Sequence, residues 1–369
     1  MKYYLISGEA SGDLHGSNLI RALKSKDPDA QFRAWGGDQM EEAGATLVRH
    51  IKETAFMGFL EVLLNLRTIA GNIRMCKEDI EAFQPDALIF IDYSGFNLRI
   101  AQWAKPKGYK THYYISPQLW ASRANRIEKI KKYIDHMYVI LPFEQAFYAS
   151  HGFEVNYVGH PLLDAIQRIK PVSKEQFFSS HDLMPHKEII ALLPGSRKQE
   201  IRKVLPVMLS AVASFPEYQF VLAGAPNIDS EFYRSFFSTT PVTIIRNDTY
   251  SLLGQAHAAL VTSGTATLET ALFKVPQVVC YKGSWFSYQI AKRLITLDYI
   301  SLVNLIMDKE VVKELIQNEL TSRNIETELK KILYGTEREL QKTAYNLLEQ
   351  RLGSSGASER AAGLIIENS

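Results

Sequence analysis

The sequence predicts an α/β protein made of two Rossmann-like doubly wound domains that face a cleft. First, 369 residues are more than one hydrophobic core usually serves. Second, short apolar runs alternate with helix-length amphipathic segments almost throughout. Third, these runs show little polar alternation, which is typical of parallel strands covered on both faces. Repeated βα units of this kind build doubly wound domains.

Short apolar runs are the predicted strands, and helical patterns separate them. In the first half the strands are YYLIS (3–7), FRAWG (32–36), ALIFI (87–91), KTHYYI (110–115) and HMYVI (136–140), and the helical patterns cover 12–26, 57–82 and 96–105. In the second half the strands are IIALLP (189–194), YQFVLAG (218–224), VTII (242–245), AALVT (258–262) and QVVCY (277–281). The densely charged stretch from about 285 to 352 predicts helices that pack back across the domains.

The domain boundary is predicted near 158–175, where prolines interrupt the chain before the strand pattern restarts. We therefore expect an N-terminal domain at 1–165, a C-terminal domain at 166–345, and a C-terminal helix and tail at 346–369. Whether this last segment returns to the N-terminal domain is left open.

Composition narrows the class of protein. A formal net charge of +2 is too small to indicate nucleic-acid binding. Cys76 and Cys280 are far apart in the sequence, which fits a reducing compartment and excludes a disulfide framework. No stretch reaches the roughly 18 uncharged apolar residues of a membrane span. Too few apolar residues precede the first glycine-rich turn for a secretory signal. We expect a cytoplasmic protein, with contact to a membrane surface left open.

The loop after the first strand, SGEASGDLHG (7–16), is rich in glycine. Its glycines allow close approach of the backbone to a phosphate or a sugar at the start of the following helix. Glu9, Asp13 and His15 add hydrogen-bonding and acid–base capacity. The alternative is an ordinary strand-to-helix turn, with Asp13 near the start of the helix.

Asp92 directly follows the apolar run 87–91, in the stretch IFIDYSGFN. Burying a carboxylate there is costly unless something compensates for it. Asp92 is therefore a candidate general base, or a charge that positions an acceptor hydroxyl. A nearby apolar wall would raise its pKa. The alternative is a cap on the next helix or turn.

The stretch LLPGSRKQEI (192–201) follows the first strand of the second domain. Gly195 and Ser196 form a turn, and Arg197 stands where a helix begins. Arginine makes forked, charge-assisted hydrogen bonds to phosphate oxygens. The alternative is a solvated arginine.

A second candidate anion loop lies in LVTSGTATLETALF (260–273). Ser263, Gly264 and Thr265 supply hydroxyls and bare backbone at a helix start, and Glu269 can accept hydrogen bonds from a ribose. The alternative is simple helix capping. With these two loops, the C-terminal domain is expected to hold a nucleotide diphosphate and the N-terminal domain an acceptor, which indicates glycosyl transfer.

A series of motifs resembles lipid-A-disaccharide synthase, and they occur in that family's order. They are SGEASGD, AFMGFLEVL, the ID-x-x-x-FN stretch, YYISPQLWASR, LPFEQAFY, VGHPLLDA, LLPGSR, SGTATLE and AKRLITLDYISLVNLI. Together they cover residues 7 to about 306, which is nearly the whole chain. The ordered set is specific, although no single motif would suffice.

The resemblance implies an inverting glycosyltransferase of the two-domain GT-B class. It implies transfer of 2,3-diacylglucosamine from its UDP conjugate to 2,3-diacylglucosamine 1-phosphate (lipid X), with a β(1→6) bond formed and UDP released. The UDP-sugar is a substrate, so no cofactor is expected, and the lack of an Asp-x-Asp near a strand end predicts no metal. The implied location is the cytoplasmic face of the inner membrane of Gram-negative bacteria, with peripheral attachment. A homodimer is left open.

The family's motifs correspond to the candidate residues. The acid of ID-x-x-x-FN falls on Asp92 and the arginine of LLPGSR on Arg197, and both are expected to matter for catalysis. The glutamate of SGT-x-x-LE falls on Glu269, which is expected to bind UDP. Asn304, in the last motif, is placed in the same set of ligands.

Two positions depart from the family pattern, and one assignment stays open. Gly95 stands where family members often carry a second acid, and Ser122 stands in WASR where WAWR is commoner. The acceptor's proton is predicted to go to Asp92, with Glu9 and His15 as the other candidates.

The apolar segment 55–71 and the basic run RANRIEKIKK (123–132) are candidate contacts for acyl chains or anionic lipid. The alternatives are a core helix for the first and a solvated helix for the second. Two other functions also stay open at this point: a UDP-sugar 2-epimerase with the same fold, and a nucleotide-binding or lipid-carrier protein without catalysis.

Overall fold

The structure is a computed structural model that describes residues 1–53, 66–120, 126–226, 228–237, 240–283 and 298–369. The chain divides into two compact units, Met1–Asp164 with Gly353–Ser369, and Ala165–Leu352. Each unit contains a parallel sheet of Rossmann-like type with helices, which confirms the prediction of two Rossmann-like α/β domains. Among the described helices, none combines the length and the apolar character needed to cross a membrane.

The first unit is built on a seven-stranded parallel sheet. Its strands are β1 (Lys2–Ile6), β2 (Gln31–Gly36), β3 (Thr46–His50), β4 (Ala87–Ile91), β5 (Lys110–Tyr114), β6 (His136–Val139) and β7 (Asn156–Tyr157). Their order in the sheet is β3-β2-β1-β4-β5-β6-β7. The helices of this part of the chain are α1 (Ala10–Lys26), α2 (Asp38–Glu42), α3 (Leu66–Phe83), α4 (Ser94–Ala104), α5 (Ile127–Tyr133), α6 (Glu144–Ser150) and α7 (Pro161–Gln167).

The second unit is built on a six-stranded parallel sheet. Its strands are β8 (Ile189–Leu193), β9 (Gln219–Gly224), β10 (Val242–Arg246), β11 (Ala256–Thr262), β12 (Gln277–Tyr281) and β13 (Lys313–Ile316). Their order is β10-β9-β8-β11-β12-β13. The remaining helices are α8 (Lys174–Ser180), α9 (Lys198–Leu209), α10 (Ser230–Arg234), α11 (Thr249–Gln255), α12 (Thr265–Leu272), α13 (Leu302–Met307), α14 (Ser322–Tyr334), α15 (Glu337–Leu352) and α16 (Ala357–Glu367).

The central strands explain why the chain forms two sheets covered on both faces. Every residue of β4 and of β8 is buried, so both faces of these strands need apolar side chains. The helices that cover the sheets are amphipathic instead. In α14, for example, Ile325, Leu329, Ile332 and Leu333 recur at helical spacing and are buried in the core of the second unit.

The last helix of the chain, α16, belongs to the first unit. Ala361, Ala362 and Ile365 are buried in the same core as Leu19 and Leu23 of α1. Small side chains on α16 let the two helices approach closely, so the end of the chain completes the core on which the first sheet rests.

All the predicted strands are present, with ends shifted by one or two residues, but β3, β7 and β13 were missing from the prediction. β3 is only half-buried and contains Arg49 and His50, while β7 has two residues. The expectation of helices from about 285 to 352 is wrong at β13, because Lys313 and Glu314 give this strand the charge of a surface helix. Glu314 is nevertheless buried, since its carboxylate accepts hydrogen bonds from the backbone of the 300–301 segment.

Several predictions fall partly or wholly outside the described residues. The apolar segment 55–71 is described only from residue 66, and the basic run 123–132 only from residue 126. Ser122 lies outside them as well. The roles assigned to these positions remain predictions.

Candidate active site

Asp92 follows β4 directly, at the carboxyl edge of the first sheet. Asp92 and Tyr93 both have left-handed backbone, with φ of +45° and +43°. Residues other than glycine rarely adopt this conformation, so the turn needs support. The amide of Asn97 donates to the carbonyl oxygen of Asp92 at 2.9 Å, and the hydroxyl of Tyr113 donates to the same oxygen. These contacts hold the backbone of the Asp92 turn, and the side chain of Asp92 reaches the surface.

The carboxylate of Asp92 is more basic than that of an ordinary aspartate. Although part of the side chain faces water, surrounding protein limits its hydration. This burial and, second, the negative charge of Glu9 raise the pKa of Asp92 to about 6, against an opposing hydrogen bond from the backbone of Tyr93. A carboxylate with a pKa near the working pH is suited to accept a proton.

The glycine-rich loop 7–16 packs against the Asp92 turn. A Cβ atom on Gly8 would lie 2.3 Å from the ring of Tyr93, so the ring can only pack here because residue 8 is glycine. Glu9 is half-buried, and its charge contributes to raising the pKa of both Asp92 and Tyr93. Two of the three predicted proton acceptors, Glu9 and Asp92, are therefore neighbours at one sheet edge.

His15 lies in α1, and its charge is coupled to those of Asp164 and His160. Its Nδ1 atom is buried and has no hydrogen-bond partner among the described residues. Burial lowers the pKa of His15 to about 4, and the negative charge of Asp164 opposes this effect. The charge of His15 in turn adds to the burial that lowers the pKa of His160. At neutral pH the imidazole of His15 is therefore uncharged.

Asp13, the other acid of this loop, has a structural role. Its carboxylate accepts hydrogen bonds from the backbone N–H groups of Gly37, Gln39 and Met40 at 2.8, 3.2 and 3.0 Å. It is buried and caps α2 from a distance in sequence. Asp13 lies in the first turn of α1, as the alternative interpretation predicted, and its carboxylate also holds the start of α2.

At the carboxyl edge of the second sheet, the two predicted anion loops are adjacent. They follow β8 and β11, which pair with each other. Gly195 has a φ of +95°, and a Cβ atom there would lie 3.6 Å from Cγ2 of Thr262. Ser196 and Arg197 are exposed. The guanidinium of Arg197 lies 3.4 Å from the carboxylate of Glu200, and its side chain is 59% exposed, so most of its donors face water.

The turn after β11 opens α12 and presents bare backbone. Gly264 and Thr265 are exposed, and the first N–H groups of a helix have no partners within it. The hydroxyl of Ser263 donates to the carbonyl oxygen of Ile300 at 2.9 Å. The side chain of Ser263 therefore holds the neighbouring loop, and the backbone of the turn is what can meet an anion.

Glu269 is half-buried in α12, one turn beyond this anion loop. Burial raises its pKa, and the hydroxyl of Tyr250 donates to its Oε1 atom at 3.1 Å, which opposes that rise. Tyr250 in turn stacks on Phe273. The carboxylate is thus held in a defined orientation.

Asn304 is buried, and its amide is used within the protein. Its nitrogen donates to the carbonyl oxygen of Val312 and to the carboxylate of Glu314, both at 2.9 Å. Its oxygen accepts from the backbone of Val311 and Val312 at 2.8 and 3.0 Å. These contacts fasten α13, which contains Asn304, to β13 and to the residues just before it. The predicted role of Asn304 as a ligand of UDP stays a prediction.

Sequence reasoning missed residues that hold the edge of the first sheet. Asn97 and Tyr113 support the Asp92 turn, as described above. Glu144 is buried, and its carboxylate accepts from the hydroxyl of Ser116 at 2.5 Å and from the backbone of Leu141 at 2.9 Å, which joins the loops after β5 and β6. The only signal for them was their place inside the motifs ID-x-x-x-FN, YYISPQLW and LPFEQ.

Comparisons with known proteins show which family the chain resembles. The model of a family described as lipid-A-disaccharide synthetase matches residues 3–365. A lipid-A-disaccharide synthase of Trichlorobacter lovleyi is 38% identical over 98% of this chain and 96% of its own. One of Syntrophus aciditrophicus is 40% identical over 98% and 96%, and one of Coxiella burnetii is 41% identical over 89% and 88%.

Solved structures with the same fold are more distant in sequence. A UDP-GlcNAc 2-epimerase from Neisseria meningitidis bound to UDP-GlcNAc aligns with a TM-score of 0.72 at 14% identity and covers 100% of both chains. The glycotransferase of kitacinnamycin aligns with a TM-score of 0.68 at 14% identity, over 100% of this chain and 98% of its own. At such identities these structures show the fold alone.

Proposed function

The chain belongs to the lipid-A-disaccharide synthetase family, and on that premise we propose that it transfers 2,3-diacylglucosamine from its UDP conjugate to the 6-hydroxyl of 2,3-diacylglucosamine 1-phosphate. It is a glycosyltransferase that forms the lipid A disaccharide. The observation that carries this function is the family match over residues 3–365, because it spans both sheets and both candidate edges.

On the acceptor side, Asp92 takes the proton of the attacking hydroxyl. The hydroxyl oxygen forms a bond to the anomeric carbon of the donor as its proton passes to the carboxylate of Asp92. A pKa of about 6 supports this role, since the group is ionised at neutral pH yet basic enough to accept a proton. Glu9 acts on Asp92 through its charge. His15, neutral at this pH, remains a candidate relay.

On the donor side, the bond between the anomeric carbon and UDP breaks, and negative charge grows on the diphosphate. Arg197 and the backbone N–H groups at 263–265 stabilise this charge. Preorganised donors of this kind are each worth about 10²–10³ in rate. One displacement from an α-linked donor gives a β-linked product, so the reaction inverts the anomeric centre and needs no covalent intermediate.

We place the reaction at the inner face of the inner membrane. Both proposed substrates carry acyl chains, and such chains favour partition into a bilayer surface. In this proposal the enzyme binds peripherally to the membrane surface and there reaches its acylated substrates.

A product assay tests the proposed function. The purified chain is incubated with UDP-2,3-diacylglucosamine and 2,3-diacylglucosamine 1-phosphate, and the products are identified by mass spectrometry. We expect the disaccharide 1-phosphate and one UDP for each disaccharide, with activity retained in the presence of a chelator.

The same assay separates the rival functions. An epimerase would convert the UDP-sugar to an isomer of unchanged mass without consuming the acceptor. A binding or carrier protein would leave both substrates unchanged. Either result, with a folded protein, would refute the transferase.

A further inference from the structure

Thr262 is the last residue of β11, and its hydroxyl is unusual among the buried threonines near the second sheet edge. The residue is 4% exposed, and its Oγ1 atom has no hydrogen-bond partner among the described residues. By contrast, the hydroxyl of Thr267 donates to the carbonyl oxygen of Gly264 at 2.8 Å, and that of Thr270 donates to the carbonyl oxygen of Ala266 at 2.7 Å. Buried polar groups are nearly always paired, so the bare hydroxyl of Thr262 needs an explanation.

The position of Thr262 supplies one. It stands at the end of its strand between the two turns that carry the candidate anion contacts. On one side, its methyl carbon is 3.6 Å from where a Cβ of Gly195 would be. On the other side, the chain continues directly into the 263–265 turn and α12.

The packing of the methyl group also fixes the hydroxyl. The side chain of threonine is branched at Cβ and has few accessible χ1 angles. In the structure Cγ2 faces the Gly195 turn, and the χ1 angle that places it there also sets the direction of Oγ1. A donor held in this way loses little freedom when a ligand arrives, which is the preorganisation that anion sites require.

We propose that the hydroxyl of Thr262 donates a hydrogen bond to a phosphate oxygen of the bound nucleoside diphosphate, so that Thr262 is a further ligand of the donor. This inference rests on the proposed function, because it takes the second sheet edge as the nucleotide site. The ligand satisfies a group that the protein alone leaves unpaired.

The test compares Thr262→Val with Thr262→Ser, and UDP is the probe in isothermal titration calorimetry. Valine keeps the shape and removes the hydroxyl, so UDP should bind about tenfold more weakly or worse, as expected for a hydrogen bond to a charged group. Serine keeps the donor and should retain most of the affinity. Without UDP, the melting temperature of Thr262→Val should equal or exceed that of the wild type, because only an unpaired buried polar group is lost.

Thr270→Val is the matched control, since it removes a buried hydroxyl that already has a partner. It should leave UDP affinity unchanged. The inference is refuted if Thr262→Val binds UDP as tightly as the wild type, or if its unliganded form is clearly less stable, which would indicate an internal hydrogen bond. If the wild type itself does not bind UDP, the proposed function fails instead.

Discussion

The turns that carry the candidate residues are built differently at the carboxyl edges of the two sheets. At the first edge, Asp92, Tyr93 and Ile115 adopt left-handed backbone although none of them is glycine. In the two anion turns of the second edge, glycines take the positive φ angles, +95° at Gly195 and +153° at Gly264, although Asn247 and Gln317 have them at the ends of other strands. At the first edge, the turn beside Asp92 therefore contains strained backbone at residues that carry side chains. In the two anion turns of the second edge, glycine avoids this strain and leaves backbone N–H groups exposed.

This difference fits the proposed mechanism, in which the two edges have different chemical tasks. Activation of a hydroxyl requires one base with a tuned pKa, which only a side chain can provide. Stabilisation of a departing diphosphate requires several donors around a diffuse charge, and bare backbone with an arginine provides them. The comparison predicts that damage at the first edge acts on proton transfer, and that damage at the second acts on the leaving group.

The largest effect is expected for Asp92→Asn, which removes the proposed base at the first edge and leaves the second edge unchanged. Asparagine keeps the shape of the side chain but cannot accept the proton, so kcat should fall about 10²–10⁴-fold. Binding of UDP should not change. Steady-state rates with both substrates, together with calorimetry of UDP, measure the two effects.

The stability of the same variant provides its control. Because the pKa of Asp92 is raised to about 6, above the value near 3.9 of an unfolded chain, the native state holds more protons between these values. Its stability therefore falls as pH rises through about 4 to 6. Asp92→Asn removes this loss, so its melting temperature at pH 7.5 should equal or exceed that of the wild type. Retained activity would remove Asp92 from the mechanism.

Arg197→Ala removes the guanidinium proposed to bind the diphosphate at the second edge, and it should have the next largest effect. Loss of one charged donor to the leaving group should lower kcat about 10²–10³-fold. Lys198→Ala is the matched control, since Lys198 is the next residue and is also exposed, but lies over the ring of Phe232. It should stay close to wild type. Equal losses in the two variants would mean that general positive charge, and not the fork of Arg197, matters here.

Much of the fold could be read from the sequence because buried parallel strands leave continuous apolar runs. The strands missing from the prediction, β3, β7 and β13, lack such a continuous apolar run. β13 carries Lys313 and Glu314, and the burial of Glu314 depends on backbone donors from residues 300–301 that only the fold brings near.

The candidate site could be predicted in part, because locating the strands also locates the loops that follow them. The positions of Asp92 and Arg197 follow from the rule that ligands bind beyond the carboxyl ends of parallel strands. The support of the Asp92 turn by Tyr113 could not be predicted, because Tyr113 lies within a different strand and looks like any core aromatic. The internal use of the Asn304 amide was equally hidden, since it depends on the course of the chain before β13.

Gly8→Ala tests whether the first edge depends on the packing of the Tyr93 ring against the glycine-rich loop. The added methyl group would lie 2.3 Å from the ring of Tyr93, so the ring or the loop must move. We expect a loss of about 1–3 kcal/mol in the free energy of unfolding, measured by urea denaturation, and reduced activity. Gly95→Ala is the control: its Cβ would meet nothing within 4 Å, so stability should be unchanged or slightly higher. Similar losses in both would show that loop flexibility, not the contact with Tyr93, is at issue.

The smallest effect is expected for Glu9→Gln, and it acts on the pH dependence of the first edge. Burial is the larger cause of the raised pKa of Asp92, and the charge of Glu9 is the smaller one, so removing that charge lowers the pKa only in part. Since the ionised form of Asp92 is the base, the rise of kcat with pH, centred near 6 in the wild type, should move to lower pH. The exposed Glu42→Gln should leave the profile in place. A profile that moves to higher pH in Glu9→Gln, or stays fixed, would show that Glu9 does not act on Asp92 through its charge, and the first edge would then depend on burial alone.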